Sequence, residues 1–398
     1  MTELTEQSIA AGELAFGARW HPDRVATAPG RLELLGNHVD YNGGLVLAGA
    51  IDRTIRAASG IATAHAGTIR LHAPDVAPGV ESISCEAPAP PSADKATTPG
   101  GYLAGIIQAL HEAGLPIRCG QDIVVSGDVP VGFGMSSSAA LCVSLTMLVS
   151  ETPLEPKRLV AIARRAEHIT GAPVGAMDQS ASVAGGVILF DGTTADVTRL
   201  DPDLGDHVFA VANSGVHHAL TDSAYPTRVR ESETALALVR EHAELDIEHL
   251  GEITPDQWAS IRDGSKPWLP ATLRQRVDHV VSEVARVREG VEAVRISDWV
   301  RFGALMTASG RSSATDYEIS HPVVEELVAD LLRQPGVLGA RMMGGGEGGP
   351  ALALLDSAAV PAVRAAIAAT FFDRHGMDPE QAFEVCAFGP GATLETLT

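Results

Sequence analysis

The chain has 398 residues and a formal net charge of −21, with 45% hydrophobic and 20% charged residues. That length buries a large core, in two domains more readily than three, and the composition is that of an ordinary globular protein. The acidic balance, unrelieved by any basic tract, argues against a nucleic-acid partner, and no apolar run is long enough to cross a membrane.

The N-terminus, Met-Thr-Glu-Leu-Thr-Glu, is acidic and carries no signal-like apolar stretch. Cys85, Cys119, Cys142 and Cys386 form no CxxC or zinc-like spacing, so thiols in a reducing, cytoplasmic setting are expected.

Arg24–Ala28 and Gly44–Ile51 read as strands, and Gly67–His72 alternates like a third. Between the first two lies Ala28-Pro-Gly-Arg-Leu-Glu-Leu-Leu-Gly-Asn-His-Val-Asp-Tyr-Asn-Gly-Gly. Arg31, Glu33, His38 and Asp40 crowd this turn-rich stretch, bracketed by Gly30, Gly36 and Gly43. Such segments present side chains to small ligands. His and Asp hold sugar hydroxyls, and Arg offsets charge on a phosphoryl group. A polar loop closed by a salt bridge is the structural alternative.

Glu86–Gly101 reads as a surface loop and Tyr102–Ala113 as a helix ending at Gly114. Strand Asp122–Val125 leads into Pro130-Val-Gly-Phe-Gly-Met-Ser-Ser-Ser-Ala-Ala-Leu. Gly132 and Gly134 permit a tight turn with positive φ. Ser136, Ser137 and Ser138 bring hydroxyls and N–H groups to the start of helix Ser138–Ser150. That helix end suits an anion such as phosphate, although a serine cap alone explains it structurally.

In helix Glu155–Ile169, Glu167 is either a candidate Mg²⁺ ligand or a solvated acid beside Arg164 and Arg165. Asp178, in Gly171-Ala-Pro-Val-Gly-Ala-Met-Asp-Gln-Ser-Ala-Ser, sits among small and apolar residues. It reads as a general base or anchor for a substrate hydroxyl, or as a turn former or helix cap.

Val187–Phe190 and Val208–Ala212 read as strands, with a domain boundary near Leu200–Asp206 that divides 1–205 from 206–398. Helices follow at Tyr225–His242, Leu273–Val291, Trp299–Ser309 and Val323–Leu332. Strands near Gly339–Met343 and Ala351–Leu355 flank a glycine cluster, and Val360–Phe372 closes as a helix. This mixed order predicts an α+β fold. Gly344, Gly346 and Gly349 match GxGxxG, but a strand follows, so the dinucleotide reading fails and close backbone approach fits better. Walker A, HRD, DFG, HExxH and GxSxG motifs are absent from the sequence.

Together these segments resemble the GHMP small-molecule kinases and, within them, the galactokinases. The likeness runs from about Phe16 to Leu355. Arg31 through Tyr41 resembles the signature GRxNxIGEHxDY, and Pro130–Ala140 the nucleotide-phosphate loop. Gly175-Ala-Met-Asp-Gln resembles GIMDQ, Asn213-Ser-Gly-Val with Ser-Ala-Tyr-Pro-Thr-Arg resembles NSxV…SEYPxR, and Gly344–Gly349 resembles the third GHMP motif.

The resemblance implies two α+β domains with the site between them, ATP and Mg²⁺, and phosphorylation of galactose at its anomeric hydroxyl. Asp178 would be the catalytic aspartate and Arg31 the arginine offsetting phosphoryl charge. Glu33, Asn37, His38, Asp40 and Tyr225 would contact the sugar. Gly132, Gly134, Met135, Ser136, Ser137, Ser138 and Ala139 would form the ATP-phosphate loop, and one of the serines, Ser137 as first choice, would hold Mg²⁺ with Glu167. A monomer or small homo-oligomer is expected, with sugar and ATP as its partners.

Four positions depart from the family pattern. Glu33 stands where the family has Asn, and Asn37 where it has the Glu associated with the sugar C6 hydroxyl. A neutral Asn37 opens the alternative of a C6-modified sugar such as galacturonate; compensation by Glu33, or a purely structural exchange, are the others. Glu347 replaces a Phe and must point away from a phosphate loop, His217 replaces an Arg, and the Glu167–Gly171 spacing is one residue short. A non-catalytic sugar sensor is the remaining alternative, although the residues lost in such proteins are present here.

Overall fold

A computed structural model describes residues 3–86, 91–92, 95–130, 132–172, 174–216, 224–262 and 268–397. After helix α1 (Glu3–Phe16) come strands β1 (Arg24–Leu35), β2 (Leu45–Ile61), β3 (Thr68–Ala73) and β4 (Ala77–Ser84). Helix α2 (Pro99–Glu112) and strand β5 (Gln121–Gly127) precede helices α3 (Ser137–Val149), α4 (Pro156–Ile169) and α5 (Met177–Ala184). Strands β6 (Val187–Asp191) and β7 (Val197–Leu200) follow.

The second half begins with β8 (His207–Asn213). Helices α6 (Tyr225–His242), α7 (Pro255–Arg262), α8 (Ala271–Arg295), α9 (Trp299–Thr315) and α10 (Pro322–Leu332) precede β9 (Val337–Met342) and β10 (Pro350–Asp356). Helix α11 (Val360–Ile367) runs on as a π-turn, then β11 (Phe383–Cys386) and β12 (Thr393–Thr396) end the chain.

Among the described residues there are two sheets. One has eight strands along the path β12-β1-β2-β5-β3-β4, with β6 on β2 and β7 on β6; the other has four, in the order β11-β8-β10-β9. The mixture is α+β, and β12 returns from the end of the chain to pair antiparallel with β1.

Strand β1 extends well past Ala28 and carries Arg31 and Glu33, which the sequence reading placed in a loop. Its first half packs Ala26 and Ala28 with Leu103 and Leu145, under α2 and α3. Its second half packs Leu32 and Leu34 with Phe209, Val287 and Phe302, from the second sheet and from α8 and α9. Strand side chains alternate, so the leucines enter the core and Arg31 and Glu33 share the opposite face. A register irregularity between Pro29 and Arg31 marks the change from one core to the next.

The cysteine expectation is corrected in part. Cys85 and Cys119, 34 residues apart, are joined in a disulfide, while Cys142 and Cys386 are free and buried. A pair brought together by folding of β4 and β5 leaves no short-spacing signature. No helix among the described residues is long and apolar enough to cross a membrane.

Candidate active site

Asp178 lies in the first turn of α5 and faces Arg31 on β1. Arg31 donates from Nε to Oδ1 and from Nη2 to Oδ2, both at 2.7 Å, and from Nη1 to the Gly134 carbonyl at 2.5 Å. Ser136 Oγ also donates to Asp178 Oδ2. Ser136 has a left-handed backbone, φ 54°, as do Gly132 and Gly134 at 84° and 60°. This curl lets the Met135 carbonyl accept from the Arg31 N–H at 3.0 Å. A Cβ at Gly30 would lie 2.6 Å from that same carbonyl, so the glycine is required by the close approach.

The Arg31–Asp178 pair stands on the wall between two cavities. One is walled by Glu33, His38, Asp40, Gly175, Tyr225 and the Gly344–Gly345 backbone. The other is walled by Gly132, Gly134, Met135, the three serines, Glu167 and glycines of the Gly346–Gly349 loop. Ala139, in the first turn of α3, is buried.

In the smaller cavity, His38 Nε2 lies 3.2 Å from the Gly345 carbonyl and Nδ1 lies 2.8 Å from the Tyr41 hydroxyl. A carbonyl only accepts, so Nε2 carries the proton and Nδ1 accepts from Tyr41. Burial, reinforced by the field of His279, pushes His38 down to about 3, so the ring is neutral at physiological pH. Tyr225 packs on His38 with centroids 4.8 Å apart. Burial pushes Asp40 up to about 7, against an opposing hydrogen bond from the Tyr41 backbone. Asp40 also needs Gly175, where a Cβ would sit 1.5 Å from its Oδ2.

In the larger cavity, Glu167 is fully buried and accepts from Gln179 Nε2. Burial, and then the charge of Asp178, push its carboxyl up to about 7, while a hydrogen bond with the Ser138 side chain opposes this. The resemblance leaves open which serine joins Glu167, with Ser137 the first choice; it is the Ser138 side chain that acts on the Glu167 carboxyl. Ser137 lines the same cavity. A buried carboxylate that burial penalises, with a hydroxyl beside it, is a donor set that suits a hard divalent cation. No group of three or more His, Cys, Asp or Glu arranged for a metal occurs among the described residues. A cation here would therefore draw its other ligands from phosphate and water oxygens.

Three comparisons bear on this arrangement. Residues 13–60 match the galactokinase galactose-binding signature, 101–186 the GHMP kinases N-terminal domain and 291–373 the GHMP kinases C-terminal domain. A galactokinase from Lactiplantibacillus plantarum is 33% identical over 381 residues, covering 93% of this chain and 95% of the relative. The Homo sapiens galactokinase is 35% identical over 384 residues, covering 91% and 90%.

The chain belongs to the galactokinase family.

The crystal structure of Lactococcus lactis galactokinase complexed with galactose superimposes with a TM-score of 0.88 at 27% identity, covering 98% of this chain and all of that one. The Methanococcus jannaschii mevalonate kinase shares the fold, with a TM-score of 0.65 at 15% identity over 92% of this chain and 98% of its own. The fold is the two-domain α+β GHMP kinase fold, and the family uses ATP.

Against the galactokinase signature, the Glu33/Asn37 exchange now has a geometry. The two side chains touch: Asn37 Nδ2 donates to Glu33 Oε1 at 3.0 Å and to the Gly344 carbonyl at 3.0 Å. Ser313 Oγ donates to Asn37 Oδ1 at 2.9 Å, and Asn37 is wholly buried. Of the exchanged pair, Asn37 therefore stands behind the cavity and Glu33 lies on its wall. Arg341, completely buried on β9, donates from Nη2 to Glu33 Oε1 at 2.6 Å and to its carbonyl at 2.8 Å. Sequence reasoning missed Arg341, although one arginine inside the apolar run Val337–Met343 was a signal. Gly175 and the Gly344–Gly349 cluster stand in the sequence motifs, but their contacts with Asp40, Asn37 and His38 are not legible there.

Glu347 points away from the phosphate-side cleft, and its Oε2 accepts from the Ala224 N–H at 2.7 Å. His217 lies outside the described residues, as does Ser223 of the Ser-Ala-Tyr-Pro-Thr-Arg segment.

Proposed function

We propose that this galactokinase-family protein transfers the γ-phosphoryl group of ATP to the anomeric hydroxyl of galactose. The observation that carries the reading is the Arg31–Asp178 pair on the wall shared by two cavities, hydroxyl-binding side chains on one side and the serine loop on the other. A sugar held by Glu33, His38, Asp40 and Tyr225 presents its hydroxyl at Asp178, beside the phosphates held by the loop containing Gly132, Gly134 and Ser136 to Ser138. The bond from the sugar oxygen to γ-phosphorus forms, the bridging bond to β-phosphate oxygen breaks, and ADP leaves with galactose 1-phosphate.

Asp178 accepts three hydrogen bonds and retains lone pairs with which to align the hydroxyl. Arg31 offsets the charge that spreads over the transferring group. Alignment and charge stabilisation supply most of the catalysis in such transfers. Glu167 and Ser138 would hold Mg²⁺, which neutralises phosphate charge when bound. Every side chain named comes from one chain, so a single protomer is sufficient, as a monomer or in a small homo-oligomer.

Three carboxylates, Glu33, Asp40 and Asp178, face the sugar-side cavity. Glu33, held by Arg341 and Asn37, presents an acceptor that suits a neutral hydroxyl and offers no donor to a uronate's carboxylate, which favours a sugar neutral at C6. The test is ADP release with Mg·ATP against galactose, galacturonate, glucuronate, N-acetylgalactosamine and arabinose, with Asp178→Ala as control. Turnover strongest on galactose and lost in the variant is expected; a uronate preference, or binding without turnover on any sugar, would overturn the reading.

A further inference from the structure

The glycine-rich loop 344–349 touches both cavities, and its one non-glycine residue is built in at a conformational cost. Glu347 has φ 56°, in the left-handed region that a non-glycine side chain rarely adopts. Its N–H donates to the Ile319 carbonyl at 2.6 Å, and its Oε2 accepts from the Ala224 N–H at 2.7 Å. Ala224 immediately precedes α6 and makes no side-chain cap of its own. Tyr225, the next residue, walls the sugar-side cavity and packs on His38. The same loop holds His38 through the Gly345 carbonyl and Asn37 through the Gly344 carbonyl.

We propose that Glu347 is a positioning residue: by capping the start of α6 it holds Tyr225 against His38 and so sets the wall of the sugar-side cavity from the phosphate-side loop. The Glu347 carboxylate gives the Ala224 N–H an acceptor at the start of α6 and meets the positive end of the helix dipole. A glycine would adopt the same φ without strain, so the left-handed backbone alone does not require a glutamate.

The inference rests on the sugar-kinase reading, and its test compares each variant with the wild-type protein on whichever sugar of the panel the wild type phosphorylates. A wild type without turnover would therefore count against that reading, whereas the variant ratios bear on Glu347 alone. Steady-state kinetics are measured for Glu347→Gln, Glu347→Ala and Glu347→Gly. The amide oxygen of Gln still accepts from Ala224, so its constants stay within about twofold of wild type. Ala and Gly remove the acceptor and raise the sugar KM about tenfold, with the ATP KM unchanged. Gly keeps the backbone unstrained, so a rise in that variant separates loss of the carboxylate from loss of fold. An unchanged sugar KM in Ala and Gly, an effect confined to the ATP KM, or Gln as impaired as Ala would overturn the proposal.

Discussion

At the scale of single residues, Asp178 and Arg31 act as one unit, tied by two 2.7 Å hydrogen bonds. Asp178→Ala is expected to lower kcat by roughly a thousandfold while the protein still binds sugar, measured by coupled ADP release and calorimetry. Glu33 and Asn37 form a second unit with Arg341. Glu33→Asn alone strands a wholly buried guanidinium and should destabilise the fold by about 3 kcal/mol in denaturant melts. Asn37→Glu alone sets two carboxylates against each other. The double exchange E33N/N37E restores a carboxylate–amide pair and should recover most of the loss, which a double-mutant cycle reads directly. Additive losses would show that the exchange is not compensatory.

Asp40 carries a further test at this scale. Burial pushes its folded-state carboxyl up to about 7, from an ordinary value of 3.8. Between those values the folded chain keeps a proton that the unfolded chain has released, so this group's contribution to stability falls as pH rises. Asp40→Asn removes that penalty. The variant's melting temperature relative to wild type should therefore rise from pH 5 to pH 8, although sugar binding is lost. A difference independent of pH would mean that Asp40 is ionised throughout.

At the scale of elements, most helices and strands were legible because their apolar periodicity was uninterrupted. The sequence limits of Tyr225–His242 coincide with those of α6, and Glu155–Ile169 differs from α4 by one residue. Helix α5 was not read. Its small residues Ser180, Ala181 and Ser182 are buried and carry little amphipathic pattern, although it is the element that presents Asp178. Strand β1 was read as five residues because its second half is buried almost throughout and shows no clean alternation of burial. Here Ser138→Ala is expected to raise the Mg²⁺ concentration needed for half-maximal rate several-fold, with a smaller effect for Ser137→Ala. The reverse order would return the metal pairing to Ser137.

At the scale of the whole molecule, the end of the chain braces the site. Gly389 N–H donates to the Ala50 carbonyl and Ala392 N–H to the Ser182 carbonyl on α5, both at 2.9 Å. β12 then pairs Thr393–Thr396 with Thr27–Arg24. Deleting residues 389–398 exposes the β1 edge and frees α5, and should lower the melting temperature by about 5 °C or more and reduce kcat. Unchanged kcat in the truncated protein would show that α5 holds Asp178 unaided.

The sequence alone determined the α+β class, the family and the chemistry-bearing segments, because these depend on local signals: glycines where a turn needs positive φ, serines at a helix start, apolar period in the flanking elements. It left open which way the side chains face. Asn37 was expected at the sugar and stands behind it; which serine meets Glu167 was open, and Ser138 does; Glu347 reaches the start of α6. Arg341 reaches Glu33 across 308 positions of sequence. Only tertiary packing decided these, since contact between residues hundreds of positions apart is set by how two sheets and their helices close on one another, and no local period encodes it.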